Sequence, residues 1–318
     1  LRSAGDRPPR ISFAAAAGCV AVFVLVMAPW WARQLATFGA LSPSTGSGKV
    51  LFIRSIEEWN SITIPATLDH LLGMGIGPLI VTRIGGLVAA VTIYATLVGG
   101  VVLAPLMIIG GWGRRRSADF GPFFIYAGLL FAFSALVSAV HVPGGTFIHS
   151  AVALAPFSYV LALEGVRRAV GWVATRRPAW DAAVATRIFS GAVVAFAVVS
   201  TVAGSLAVHA TWEERRQRSL AVAATLEDAG APVSDRVMSI DAASTRYWTG
   251  RGGVVLVNDP LDMIREVAGA YQIGWVVLDR RESVAAAGPI LDGDVPSWLG
   301  NPLPTGVAGL EVFPVVTP

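Results

Sequence analysis

Five residues in one short stretch carry the side chains that a reaction on a charged, lipid-borne substrate needs: Lys49, Arg54, Glu57, Glu58 and Trp59. A phosphate at a membrane interface calls for fixed cations. A hydroxyl that must lose its proton calls for a carboxylate, and a sugar ring or lipid calls for a flat aromatic face. His141 and His149 bracket a second segment, His-Val-Pro-Gly-Gly-Thr-Phe-Ile-His. Taken singly, each of these residues also suits an ordinary solvated or interfacial position.

A third feature, Arg-Tyr-Trp-Thr-Gly-Arg-Gly-Gly at 246–253, has the glycine density of a phosphate loop. A dinucleotide fingerprint follows a strand and opens a helix, so that pyrophosphate meets the helix N-terminus. Here the glycines precede the apolar run Val254–Val257, and the order is wrong. A P-loop ends in Gly-Lys-Ser/Thr, and the single lysine of the chain is Lys49. The stretch therefore reads as a turn. The four histidines are scattered and the one cysteine, Cys19, lies in an apolar run, so no zinc or thiol-nucleophile pattern forms. No Gly-x-Ser-x-Gly is present. The residues call for no cofactor, with a divalent metal left open.

The elements that position these groups follow from composition. Of 318 residues, 54% are hydrophobic and 14% charged, with a mean hydropathy of +0.63. Soluble domains carry about a quarter charged residues, so the deficit places the chain among membrane proteins. Five stretches are long and apolar enough to span a bilayer: 11–32, 84–112, 120–140, 147–166 and 188–208. Pro105 inside the second predicts a kink or an interfacial run. Glu164 stands near the end of the fourth, within reach of headgroups.

Arginines orient the bundle. Arg2, Arg7 and Arg10 precede the first span; Arg114, Arg115 and Arg116 follow the second; Arg167, Arg168, Arg176, Arg177 and Arg187 join the fourth to the fifth. The alternate connections, 33–83 and 141–146, hold Arg33, Lys49, Arg54 and Arg83 against Glu57, Glu58 and Asp69. The positive-inside rule then sets the first group in the cytoplasm and residues beyond 208 outside it. Trp30 and Trp31 fit the aromatic belt at the outer end of the first span. An acidic tail, with 9 basic against 14 acidic residues after position 212, gives nucleic acid no purchase.

Within the outer loop 33–83, Ser55-Ile-Glu-Glu reads as a capping box and Pro65-Ala-Thr-Leu-Asp as a second helix start. Residues 68–80 read as an interfacial helix leading into the second span. The division expected is a transmembrane region, 1–211, and an extracytoplasmic α/β domain, 212–318. That domain begins with the charged helix Trp212-Glu-Glu-Arg-Arg. Short apolar runs at 236–240, 254–257 and 273–279 alternate with a helix from Pro260 to Gln272 capped by Asp259, which predicts a mainly parallel sheet. Residues 309–316 return as an edge strand.

Several segments together resemble the C-terminal portion of bacterial GT-C type polytopic membrane glycosyltransferases, the dolichyl-phosphate-mannose protein mannosyltransferase-like group. They are Pro-Trp-Trp-Ala-Arg-Gln-Leu-Ala-Thr-Phe-Gly at 29–39, Pro-Gly-Gly-Thr-Phe at 143–147, Tyr-Trp-Thr-Gly-Arg-Gly-Gly-Val-Val-Leu-Val-Asn-Asp-Pro at 247–260, and Ala-Tyr-Gln-Ile-Gly-Trp-Val-Val-Leu-Asp at 270–279. The resemblance implies a polyprenyl-phosphate-linked sugar donor and inverting transfer on the extracytoplasmic face. The acceptor it implies is a glycan, lipid or protein. The family's catalytic carboxylate sits in an outer loop nearer the N-terminus of the complete protein. It is expected in sequence upstream of Leu1, and no catalytic residue is assigned here. Lys49 and Arg54 are the expected phosphate contacts, Glu57 or Glu58 a sugar or acceptor contact, and Trp59 and His149 further substrate contacts. Two other classes compete: a transporter or flippase subunit, and a membrane-anchored binding or scaffold protein. Transporters keep ionisable groups at mid-membrane and show inverted repeats, and neither is legible here.

Overall fold

The structure, a computed structural model, describes residues 13–39, 49, 51–137 and 146–316. His141, the turn 141–145 and the N-terminal arginines lie outside the described residues. The chain forms two compact units. One comprises Leu1–Arg54 with Ala66–Val198, the other Ser55–Pro65 with Val199–Pro318.

The first unit is helical. It contains α1 (Phe13–Phe38), α2 (Leu68–Leu72), α3 (Ile76–Ile93), α4 (Ala104–Arg114), α5 (Gly121–Ala132), α6 (Thr146–Ala151), α7 (Ala155–Ala174) and the beginning of α8 (Ala182–Asp228). Single π-helical turns extend α3 to Val98 and α5 to Val137. Among the described residues five helical stretches are long and apolar enough to cross a membrane: Phe13–Phe38, Ile76–Val98, Ala118–Val137, Phe147–Ala174 and a part of Ala182–Asp228. Their number agrees with the sequence, while the first, fourth and fifth run on past the expected ends and the second is displaced. It starts at Ile76, so Arg83 lies inside α3 and not in the loop.

The kink expected at Pro105 is a full break. Gly100 and Val101 adopt left-handed backbone angles, with φ of 50° and 62°, and α4 restarts with Pro105 in its first turn, where a missing N–H costs nothing. Two glycines then let α4 and α7 approach closely. A Cβ on Gly110 would strike the Leu161 carbonyl, and one on Gly165 the Leu106 carbonyl. Leu103, Met107, Ala162 and Val166 fill the seam. At its end Glu164, 16% exposed, receives Arg114 at 3.4 Å, Arg168 at 3.5 Å and Arg167 at 3.8 Å, so three guanidiniums surround a carboxylate read as reaching for headgroups.

The second unit is an α/β sandwich around five strands: β1 (Arg236–Ser239), β2 (Gly253–Val255), β3 (Ile273–Asp279), β4 (Leu303–Pro304) and β5 (Leu310–Pro314). Their order is β2-β1-β3-β5-β4. β1 pairs parallel with β2 and β3, but β5 pairs antiparallel with both β3 and β4. The sheet is therefore mixed, which corrects the mainly parallel expectation. β4 and β5 are joined by a tight turn through Gly306 and Gly309, both at positive φ, and a turn that short can join only antiparallel strands. For the same reason β5 is an interior strand, flanked by β4, and not the edge that the sequence suggested.

Period-two alternation divides the core. Val237, Val277 and Val312 face Val222 and Leu226 of α8. Met238, Val276, Leu278 and Phe313 face Ile264, Val267 and Ala268 of α10 (Leu261–Ala270). Between β1 and β2 the chain forms α9 (Ala242–Thr249), a helix that the sequence reading had taken as part of the glycine turn, and α11 (Gly288–Leu291) follows β3.

Candidate functional site

The glycine stretch resolves first. Gly250 is the left-handed cap of α9 at φ 70°, its N–H returning to the Arg246 carbonyl. Arg251, 2% exposed, spends its guanidinium on the carbonyls of Ala231 (2.6 Å), Pro232 (3.2 Å) and Thr249 (3.2 Å). An arginine buried in backbone carbonyls is a clamp and has no face for a phosphate. Tyr247 is 78% exposed.

The carboxyl ends of β1, β2 and β3 gather the polar groups of the second unit. Beyond β2, Asn258 and Asp259 hold the segment 57–63, which precedes α2. Asn258 donates its backbone N–H to the Asn60 carbonyl at 3.1 Å and its amide to the Glu57 carbonyl at 2.7 Å. Asp259 is 3% exposed. Its carboxylate accepts from the Ser61 hydroxyl (2.6 Å), the Ile62 N–H (2.7 Å), the Thr63 N–H (3.3 Å) and the Thr63 hydroxyl. Burial pushes this carboxyl up, but the four donors together outweigh it and hold the group below its ordinary range. The sequence reading made Asp259 the cap of α10. Pro260 takes that place without a side-chain bond, and the carboxylate serves the loop instead.

Ser55 likewise makes no capping bond. Residues Ile56–Asn60 form one 3-10 turn, and the Ser55 hydroxyl bonds the Glu57 carboxyl, lowering it from its ordinary value. The capping box fails because a 3-10 turn of five residues lacks the α-helical register in which its third residue reaches back.

Over the carboxyl ends of β1 and β3, between α8 and α9, lies a crevice of about 190 Å³. Arg218 of α8 forms a two-pronged bond with Asp279, both contacts 2.6 Å, with the two side chains 11% and 15% exposed. More exposed pairs join Arg215 to Glu282 at 2.8 Å and Arg281 to Glu214. The Ser239 and Thr245 hydroxyls share a hydrogen bond of 2.8 Å, and Asp241 caps α9 through the Ser244 N–H. Among the described residues no cluster of three or more His, Cys, Asp or Glu could hold a metal ion.

The six residues expected to contact substrate do not share one unit. Glu57, Glu58 and Trp59 stand on the 3-10 turn of the second unit, with Trp59 44% exposed. Lys49, Arg54 and His149 belong to the first. Arg54 donates from Nε and Nη2 to the His70 carbonyl, so the loop itself uses its guanidinium. Lys49 offers its carbonyl to the Phe52 and Ile53 N–H groups, and His149 is exposed on α6. The sequence reading missed the Asp259 cradle and the crevice. The crevice alone has a visible signal, complementary charge: Trp-Glu-Glu-Arg-Arg-Gln-Arg at 212–218 against Asp-Arg-Arg-Glu at 279–282.

Comparisons with protein-family models, with curated proteins and with solved structures give no match to this chain.

Proposed function

We propose that this chain is part of an integral membrane glycosyltransferase. In this reading a hexosyl or pentosyl group passes from a polyprenyl-phosphate-linked donor to a glycan, lipid or protein acceptor on the extracytoplasmic face. The observation that carries the reading is the Asp259 cradle. Segment 55–65, which lies between the first two apolar helices, is built into the same compact unit as the tail beyond the fifth. A mere anchor for the tail has no need of such a loop, whereas an enzyme working at the membrane surface needs charged and aromatic groups held there. The cradle fixes Glu57, Glu58 and Trp59 in that way.

The same observation bears on sidedness. Four apolar stretches separate segment 55–65 from the tail, and an even number returns the chain to the side it left. Positive-inside placement of the arginine clusters makes that side extracytoplasmic. Within the first unit, an apolar groove of about 540 Å³ lined by Leu106, Val170, Phe189 and Phe196 suits an isoprenoid chain.

The test is sugar transfer by the full-length protein in membranes, with polyprenyl-phosphate sugars as donors. Glu57→Gln is expected to lower turnover by about tenfold or more, the equivalent of about 1.4 kcal/mol of transition-state contact. Full turnover in this variant would remove the assigned site, and absence of transfer from every such donor would remove the class.

A further inference from the structure

We propose that the second unit binds a neutral carbohydrate in the crevice at the carboxyl ends of β1 and β3, with sugar rings resting against Trp212 and Trp248. The inference needs this unit alone and holds whether or not the chain catalyses transfer.

The crevice arises from topology. From the end of β1 the chain turns into α9, on the α8 face of the sheet, where the Ser239 and Thr245 hydroxyls meet. From the end of β3 it turns to the opposite face, where Val284 and Ala287 join the α10 core. Two connections leaving neighbouring strands for opposite faces open a gap above them, and such switch points are where open α/β sheets bind ligands.

The lining selects the ligand class. Its charged groups, three guanidiniums against four carboxylates, are close to balanced, so an anion or a cation gains no net field. Arg218–Asp279 is nearly buried and fixed by two bonds. Arg215 and Glu282 are 63% and 40% exposed, and Arg281 and Glu214 are 59% and 52% exposed. Ion pairs so exposed are weak and exchange readily with other hydrogen-bonding groups. Planar guanidinium and carboxylate groups side by side offer the alternating donors and acceptors that adjacent sugar hydroxyls match.

A second depression of about 400 Å³ shares Arg215 and Asp241 with the crevice and adds two indoles. Trp212 is 59% exposed, with the His209 ring edge-on at 5.1 Å, and the Arg216 guanidinium lies 5.9 Å from the Trp248 ring centre. The exposed Trp212 indole beside these polar groups suits the apolar face of a sugar ring, while Trp248, half-buried with Arg216 over its ring and Tyr247 edge-on at 4.9 Å, offers a smaller surface next to it. A lipid surface fits less well. The two carboxylates of this depression, Glu213 and Asp241, stand beside two guanidiniums, Arg215 and Arg216, so anionic headgroups find no net attraction there.

The test uses the full chain in nanodiscs of neutral phosphatidylcholine. It is screened against neutral mannan, glucan, galactan and arabinan oligosaccharides together with phosphorylated and uronic-acid counterparts, and hits are titrated calorimetrically. Binding of a neutral class is expected, insensitive to salt. Trp212→Ala and Trp248→Ala should each weaken it roughly tenfold, and Arg215→Gln and Glu282→Gln roughly threefold. Trp172→Ala, on the first unit, should leave it unchanged. If the tryptophan variants lose thermal stability, the Arg215 and Glu282 variants decide alone. Absence of neutral-glycan binding at millimolar concentration, a salt-dependent preference for charged sugars, or affinity unmoved by the Arg215 and Glu282 variants would each overturn the proposal.

Discussion

At the scale of single residues, two buried polar side chains organise the second unit by satisfying backbone. Asp259 gathers four donors from segment 61–63, and its removal leaves those donors without their acceptor. Asp259→Ala is therefore expected to cost on the order of 2–4 kcal/mol and to expose 55–65 to protease, read by thermal unfolding and limited proteolysis of the purified chain. Its folded carboxyl titrates below the ordinary 3.8. The sign follows from linkage: the contribution is complete above the ordinary value and is lost as pH falls through the lower, folded one. Protection factors for hydrogen exchange of 55–65, with the intrinsic rate at each pH divided out, should accordingly stay high at neutral pH and fall only under acid conditions. Unchanged exchange in the Asp259→Ala chain would contradict the cradle. Arg251 is the second case. It bonds three carbonyls, and Arg251→Met should cost about 3 kcal/mol by leaving them unpaired. Lysine should restore little, because its ammonium lacks the planar fork.

At the scale of elements, glycine decides what approaches what. The α4–α7 seam depends on Gly110 and Gly165, each against a carbonyl of the opposite helix, whereas Gly171 on the same helix faces open space. Gly165→Ala is expected to force the helices apart and lower the melting temperature in detergent by several degrees. Gly171→Ala should be neutral or slightly stabilising. Equal behaviour of the two variants would show that the seam is not limiting. The helical runs and their apolar character were legible in the sequence, since length and hydropathy suffice. The break at Gly100–Val101 was legible only as a kink, because Pro105 marks a discontinuity without saying how the preceding turn closes. α9 is not legible because its run is short and polar, and the Gly250 cap that ends it reads as part of a loop.

At the scale of the whole molecule, the testable claim is sidedness. In a chain with Cys19→Ser, cysteines introduced at Glu57 and at Gly293 should react alike with a membrane-impermeant maleimide in intact cells. Cysteines at Arg116 and Arg177 should react only after permeabilisation. Opposite labelling of Glu57 and Gly293 would be incompatible with one compact unit containing 55–65 and the tail. The candidate contacts were readable as residue types, yet Lys49, Arg54 and His149 fall in one unit and Glu57, Glu58 and Trp59 in the other. Spacing along a loop says nothing about which part of it a distant strand end will hold.

By itself the sequence determined the membrane class, the five apolar stretches and the presence of an α/β tail, because hydropathy, arginine placement and alternating apolar runs are local quantities. Only the tertiary structure decided that the sheet is mixed, that Asp259 grips residues 61–63 and that charges from α8 and the end of β3 meet across one crevice. Those outcomes depend on partners as far apart as Ser61 and Asp259, and such pairings are set by the closure of the fold rather than by any local pattern.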